Sequence, residues 1–159
     1  MNTRLFMVFL ACIGGLMVGL FLSNRTKNRE KYFADLLNLT DRLISDISYL
    51  IDPAVKIILS FETKSVHFRK NLDEYLAFVD GEKFNFSNTV LNKREAGIIK
   101  DFFDRLGTLD YDTQINELQS KKMLFMQMYD GADKKNKSFG RAYIKLGFLG
   151  GLLLGIMIL

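Results

Sequence analysis

Two apolar runs, one near each end of the chain, limit its possible folds more than anything between them. The later run, Leu146-Gly147-Phe148-Leu149-Gly150-Gly151-Leu152-Leu153-Leu154-Gly155-Ile156-Met157-Ile158-Leu159, has no charged or strongly polar side chain. At 1.5 Å per helical residue it covers roughly 20 Å, short of a hydrocarbon core of about 30 Å. Starting the helix at Phe139 closes the gap: Arg141 and Lys145 can extend their charged ends to the headgroups, and Tyr143 suits the interface. A soluble domain would need a partner on every side of such a helix. The earlier run, Leu5 to Leu22, is uninterrupted and has the usual length of a span. Both are read as transmembrane helices.

A cleaved signal peptide is excluded for the first run, because Ser23-Asn24-Arg25-Thr26-Lys27 offers no small-x-small cleavage pattern and the positive charges that follow resist export. A lipoprotein site at Cys12 fails too, since the apolar run continues well past it. The single cysteine rules out an internal disulfide and disfavours zinc or redox chemistry.

The net charge of +4 hides a strong asymmetry. Arg25, Lys27, Arg29 and Lys31 follow the first run, and Lys134, Lys135, Lys137, Arg141 and Lys145 precede or enter the second. With Arg4, the flanks hold an excess of nine positive charges, which leaves the body from Tyr32 to Asp133 near −5. Nucleic-acid binding wants a basic stripe on the domain itself and is disfavoured. Both basic clusters flank the body, so the positive-inside rule predicts a cytoplasmic body with both termini on the far side.

The two runs share a spacing. Ala11, Gly15 and Gly19 recur every four residues, as do Gly147, Gly151 and Gly155. Small residues so spaced form a flat stripe that lets helix backbones approach closely. The spacing leaves open whether the stripes pack within one chain or between copies.

The body reads as all-α, with a division into a 1–24 anchor, a 25–138 bundle of about five helices and a 139–159 membrane helix. From Asn28, Tyr32, Leu36, Leu39, Leu43, Ile47 and Leu50 recur at helical steps, with Leu37, Ile44 and Ile51 widening the stripe. This long helix continues from the first span and stops near Asp52-Pro53, where Asp52 caps and Pro53 takes the first position of the next. That second helix, Pro53 to Glu62, is expected to bury Val55, Ile58 and Leu59. A third, Val66 to Val79, places Phe68, Leu72, Tyr75, Leu76 and Val79 inward and ends at Asp80-Gly81. Glu82 to Thr89 is a loop whose Phe84 and Phe86 tuck under the bundle. Asn92 and Glu95 form a capping box. The helix after it carries Ile98, Ile99, Phe102, Phe103 and Leu106 inward and ends at Gly107. A fifth begins near Tyr111 or Asp112, buries Ile115, Leu118, Phe125 and Met128, and runs toward the membrane with weak points at Gly131 and Gly140. Its Met123, Leu124, Met126 and Tyr129 are read as bundle core, though flexible Met surfaces also suit partners.

Catalytic candidates are few. Asp110, Asp112 and Glu117 are the densest acidic group, and at a helix start carboxylates cap and favour the dipole. His67, the lone histidine, reads as a partly exposed surface residue. Phosphate-loop, triad and metal-spacing patterns are missing from the sequence, so the chain is read as non-enzymatic, with no cofactor.

Three stretches together resemble the stage III sporulation protein AB family. They are Leu43-Ile44-Ser45-Asp46-Ile47-Ser48-Tyr49-Leu50-Ile51-Asp52-Pro53, then Phe102-Phe103-Asp104-Arg105-Leu106-Gly107-Thr108-Leu109-Asp110 with Gln114, and the glycine-rich Leu146–Leu152. Asp52, Ala54 and Phe103 depart from the family's usual threonine, leucine and glycine. The resemblance implies a bundle similar to the cytoplasmic domain of the inner-membrane platform protein of type II secretion and type IV pilus machines. It implies a place in the mother-cell membrane around the forespore, within a channel-like complex. Its implied partners are a secretion-type ATPase in the mother-cell cytoplasm and other membrane proteins of the complex, with homo-oligomers left open. On this reading Tyr49, Pro53, Leu106, Gly107, Asp110 and Gln114 are the structural signature. The alternative is a two-span sensor with an extracytoplasmic, ligand-binding helical body.

Overall fold

A computed structural model describes residues 2–50, 53–84 and 86–158, with side chains over 6–48, 53–84 and 86–157. The chain is all-α. Five helices follow in order: α1 (Asn2–Leu50), α2 (Ala54–Leu59), α3 (Val66–Val79), α4 (Lys93–Arg105) and α5 (Tyr111–Ile158). The two outer helices each combine an apolar end with an amphipathic half, so five helices among the described residues include both apolar runs rather than lying between them. α5 runs unbroken through Gly131 and Gly140. Both outer helices are long and apolar enough to cross a membrane. The chain forms two compact units, Met1–Glu30 with Gly131–Leu159, and Lys31–Asp130.

In the unit Lys31–Asp130, the stripe of α1 is buried as its spacing demands: Tyr32, Leu36, Leu39 and Leu43 are fully enclosed, and Phe33 joins them. Phe68, Leu72 and Tyr75 of α3, Ile99, Phe102 and Phe103 of α4, and Leu118 and Phe125 of α5 complete the core. Rings meet edge to face, Tyr32 against Phe68 at 5.1 Å and Phe102 against Phe125 at 5.2 Å, geometries that add to the gain from burial alone.

Local chemistry sets the helix ends. Ser65 caps α3, accepting from the Phe68 amide. At the other end Gly81 takes φ 100°, with the Glu82 amide bonded to the Ala77 carbonyl and that of Gly81 to Phe78, a Schellman closure. The Asn92–Glu95 capping box opens α4 with both reciprocal bonds formed.

Several expectations are corrected. Pro53 is itself the N-cap of α2, in extended conformation, rather than its first helical residue. Asp52, with Ile51, lies outside the described residues, as do Arg4 and Tyr49 for their side chains. α2 ends at Leu59, which is 62% exposed, and Val55 is only half-buried; Ile58 is buried as expected, together with Ala54, Ile57 and, beyond the helix, Phe61. Val79, in the last turn of α3, is exposed, while half-buried Phe84 meets both Tyr75 and Phe86 edge to face. On α5 the buried position is Gln114 rather than Ile115, which is half-buried. Met123 and Met126 are 70% and 56% exposed and so face outward rather than into the core, while Leu124, Met128 and Tyr129 are half-buried.

In the other unit, the first part of α1 and the last part of α5 lie antiparallel. Ala11 meets Gly151, Gly15 meets Gly147, and Gly19 meets Tyr143. Their outer faces carry exposed Phe6, Met7, Phe9, Met17 and Phe21 on α1 and Leu146, Leu149, Leu153 and Ile156 on α5.

Candidate functional site

The turn from α4 into α5 is assembled from four of the signature residues. Arg105 ends α4, and Leu106 turns extended, its side chain buried and its carbonyl accepting the Tyr75 hydroxyl at 3.2 Å. Gly107 follows at φ 79°, the left-handed region that a Cβ disfavours. Its amide donates to Gln114 Oε1 at 3.0 Å. Asp110 caps α5, its carboxylate accepting the Thr113 amide at 3.2 Å and its carbonyl the Gln114 amide at 2.8 Å. Hydrogen bonds from Thr113 hold the Asp110 carboxyl below the usual carboxylate range. Buried Gln114 therefore reaches back from the first turn of α5 to clasp the turn that precedes it. Pro53, exposed, caps α2 through its carbonyl, which accepts the Lys56 amide at 3.0 Å. It is not part of this turn.

The six small residues of the two stripes come together within one chain. A Cβ placed on Gly19 would stand 2.6 Å from the Tyr143 carbonyl oxygen, and one on Gly151 2.6 Å from that of Ala11. Gly15 and Gly147 would each run into the other's carbonyl oxygen, and Gly155 sits against Val8. Real Cβ atoms do not approach this closely, so the helices can lie this near only with glycine at these positions. Beyond the stripes, Thr26 donates to Asn136 at 3.3 Å, and the Asn136 amide donates to Glu30. These polar contacts tie the same pair of helices.

The basic residues are mostly exposed. Arg25, Lys27, Lys31, Lys134, Lys135, Arg141 and Lys145 all face outward. Arg29 is half-buried, and Lys137 pairs with Asp133 at 2.8 Å.

A model of the family described as stage III sporulation protein AB matches residues 4–159. The chain belongs to that family. Membership brings a role in sporulation. No curated protein and no solved structure matches the chain.

Within this family member, sequence reasoning missed the buried polar groups. Asp35, on the buried face of α1, accepts the amides of Lys64 and Ser65 at 2.8 and 2.7 Å, so one helix caps the start of another. The Tyr32 hydroxyl donates to Asn71 at 3.0 Å, Asn88 donates to the same oxygen at 2.6 Å, and Asn71 donates to Glu74 at 2.8 Å. Burial, with the Glu74 charge adding to it, pushes the Tyr32 phenol far above its ordinary range. The phenol is therefore a neutral donor at any ordinary pH. One signal was present in the sequence: an acid and a threonine, Asp35 and Thr40, interrupt an otherwise apolar helical face. Among the described residues, no group of three or more His, Cys, Asp or Glu is placed to hold a metal ion.

Proposed function

We propose that this sporulation protein is a two-span, non-enzymatic platform in the mother-cell membrane. On this reading, its helical body faces the mother-cell cytoplasm, within a secretion-like channel complex between mother cell and forespore. The body would dock a secretion-type ATPase, and the glycine-faced pair of helices would anchor it among the other membrane proteins of the complex. The observation that carries the reading is the family match over residues 4–159. Three further features support it. Large apolar side chains point outward along both end helices, where a soluble fold would bury them. Basic residues flank the body on both sides, as the positive-inside rule asks of a cytoplasmic domain. Outward-facing Met123 and Met126 give the body an adaptable apolar surface of the kind used for partner binding.

The test is cysteine accessibility. Cys12 is changed to serine and Glu82, exposed after α3, to cysteine. Cells expressing the variant before any forespore forms are treated with a membrane-impermeant maleimide, intact and after permeabilisation. Labelling only after permeabilisation is expected. Labelling of intact cells would place the body outside, exclude a cytoplasmic ATPase as its direct partner, and bring forward the sensor.

A further inference from the structure

The antiparallel register of the end helices sets cations beside apolar neighbours. Tyr143 lies against Gly19 and Gly147 against Gly15, so Lys145 sits level with Met17, towards the Leu22 end of the apolar run Leu5–Leu22. Arg141 lies between that level and the level of Asn136, which contacts Thr26. Both cations are exposed. They are four residues apart, so they share one side of α5, and Lys134 and Ser138 extend that side by two turns. No acid occurs from Lys134 to Lys145. The exposed Phe148 and Leu149 continue α5 on the apolar side of Lys145.

Several cations of the other unit are paired with acids. In Lys31–Asp130, Arg42 pairs with Asp46, Arg69 with Asp73, Lys100 with Asp104, Lys121 with Asp101 and Lys122 with Asp41. Arg141 and Lys145 have no such partner among the described residues. A cation at the edge of a hydrocarbon layer needs an anion or water, and its flexible stem lets it reach the headgroup level. The group that offers an anion at that depth, with acyl chains to lie along Phe148 and Leu149, is a phospholipid.

We propose that Arg141 and Lys145, on the outward side of α5, hold the phosphate headgroup of an anionic phospholipid. The proposal rests on α5 spanning the membrane, and its test separates the two claims. The full chain is reconstituted in phosphatidylcholine bilayers with trace spin-labelled phosphatidylglycerol or phosphatidylcholine. The motionally restricted fraction of each probe is then read by electron paramagnetic resonance. Wild type is expected to restrict both probes and to prefer phosphatidylglycerol by about fivefold, the effect of roughly one interfacial charge. The double variant Arg141→Gln/Lys145→Gln should lose most of that preference while still restricting phosphatidylcholine. Arg141→Lys/Lys145→Arg should keep the preference, and so should Arg25→Gln/Lys27→Gln, which removes equal charge from α1.

A restricted fraction that does not distinguish the probes in wild type would overturn the lipid site alone. So would equal preference in wild type and the Arg141→Gln/Lys145→Gln protein, or loss of preference in the α1 variant. Displacement by soluble glycerophosphate would reassign the side chains to a free phosphate and overturn the lipid assignment. The absence of any restricted component would overturn the spanning of the membrane and, with it, the site.

Discussion

Within the body, α1 meets its neighbours through rings and branched chains: Tyr32 stands 5.1 Å from Phe68, and Leu36, Leu39 and Leu43 are wholly enclosed. In the end unit the same helix meets α5 through backbone, with Gly15 on Gly147 and Gly19 on Tyr143, while Phe6, Phe9 and Phe21 turn outward. The largest side chains are thus inside one unit and outside the other. In water, hiding large apolar surface is the main source of stability, so a body core gains from Phe and Leu. Where the outward faces are already apolar, hiding more of the same gains little, and close backbone contact across small residues takes its place. One helix follows both rules along its length because its residue types change between Phe21 and Tyr32.

Replacing Phe103 with alanine should produce the largest effect, about 3–5 kcal/mol for a fully buried aromatic, because its ring contacts Tyr75, Phe84 and Phe102. Urea unfolding in mild detergent, followed by circular dichroism, would measure the loss. Reactivity of Cys12 towards N-ethylmaleimide should not change, and a rise would break the distinction between the units. Gly151→Leu reverses the experiment. Overpacking of about 1–3 kcal/mol falls where a Cβ would already meet the Ala11 carbonyl and the Cys12 Cα. Cys12 should react faster and copurification with membrane partners should fall, with the urea midpoint of the body unmoved. Equal copurification of mutant and wild type would count against the role of the stripe.

Smaller effects sharpen the picture of the body. Gln114→Ala orphans the Gly107 amide and should cost about 1–2 kcal/mol in the same unfolding measurement. Asn92→Ala, which removes half of the α4 capping box, should cost about 1 kcal/mol. Asp101 gives the smallest. Hydrogen bonding from Lys121, with Lys121 and Arg105 nearby in charge, holds its carboxyl below the ordinary range. A lowered folded pKa contributes stability above the unfolded value of about 4 and loses it as pH falls through the folded one. Wild type should therefore lose slightly more stability than Asp101→Asn between pH 6 and pH 3. The difference is roughly 0.5 kcal/mol once solvent screening of this exposed pair is allowed for. Indistinguishable pH profiles would remove Asp101 from the account.

Much of this architecture could be read in residue order. Val66–Val79 forms α3 with the ends that its flanking Ser65 and Gly81 require, and Asn92 with Glu95 announces α4. These signals are local, three or four residues wide, and do not depend on the rest of the fold. The phase of α2 was not legible, because six residues make fewer than two turns and cannot fix which side faces inward. Val79 was misplaced because spacing alone does not tell where a helix passes beyond its neighbours. The role of Asp35 was hidden for a different reason: its partners, Lys64 and Ser65, lie about 30 residues away, and an acid on a helix reads by default as solvated. In the candidate turn, Gly107 and Asp110 were visible from their types. The reach of Gln114 back to Gly107 depended on three-dimensional closure.

The register of the end helices also has a consequence in time. Gly15 is made early, and the Gly147 it rests against roughly 130 residues later. At about 10 residues per second, that delay is on the order of ten seconds. Throughout it the first stripe has no intramolecular mate, and any other helix with a small-residue face can compete for it. The order of synthesis therefore leaves a window in which a wrong partner can bind, and the arrival of the second stripe closes it.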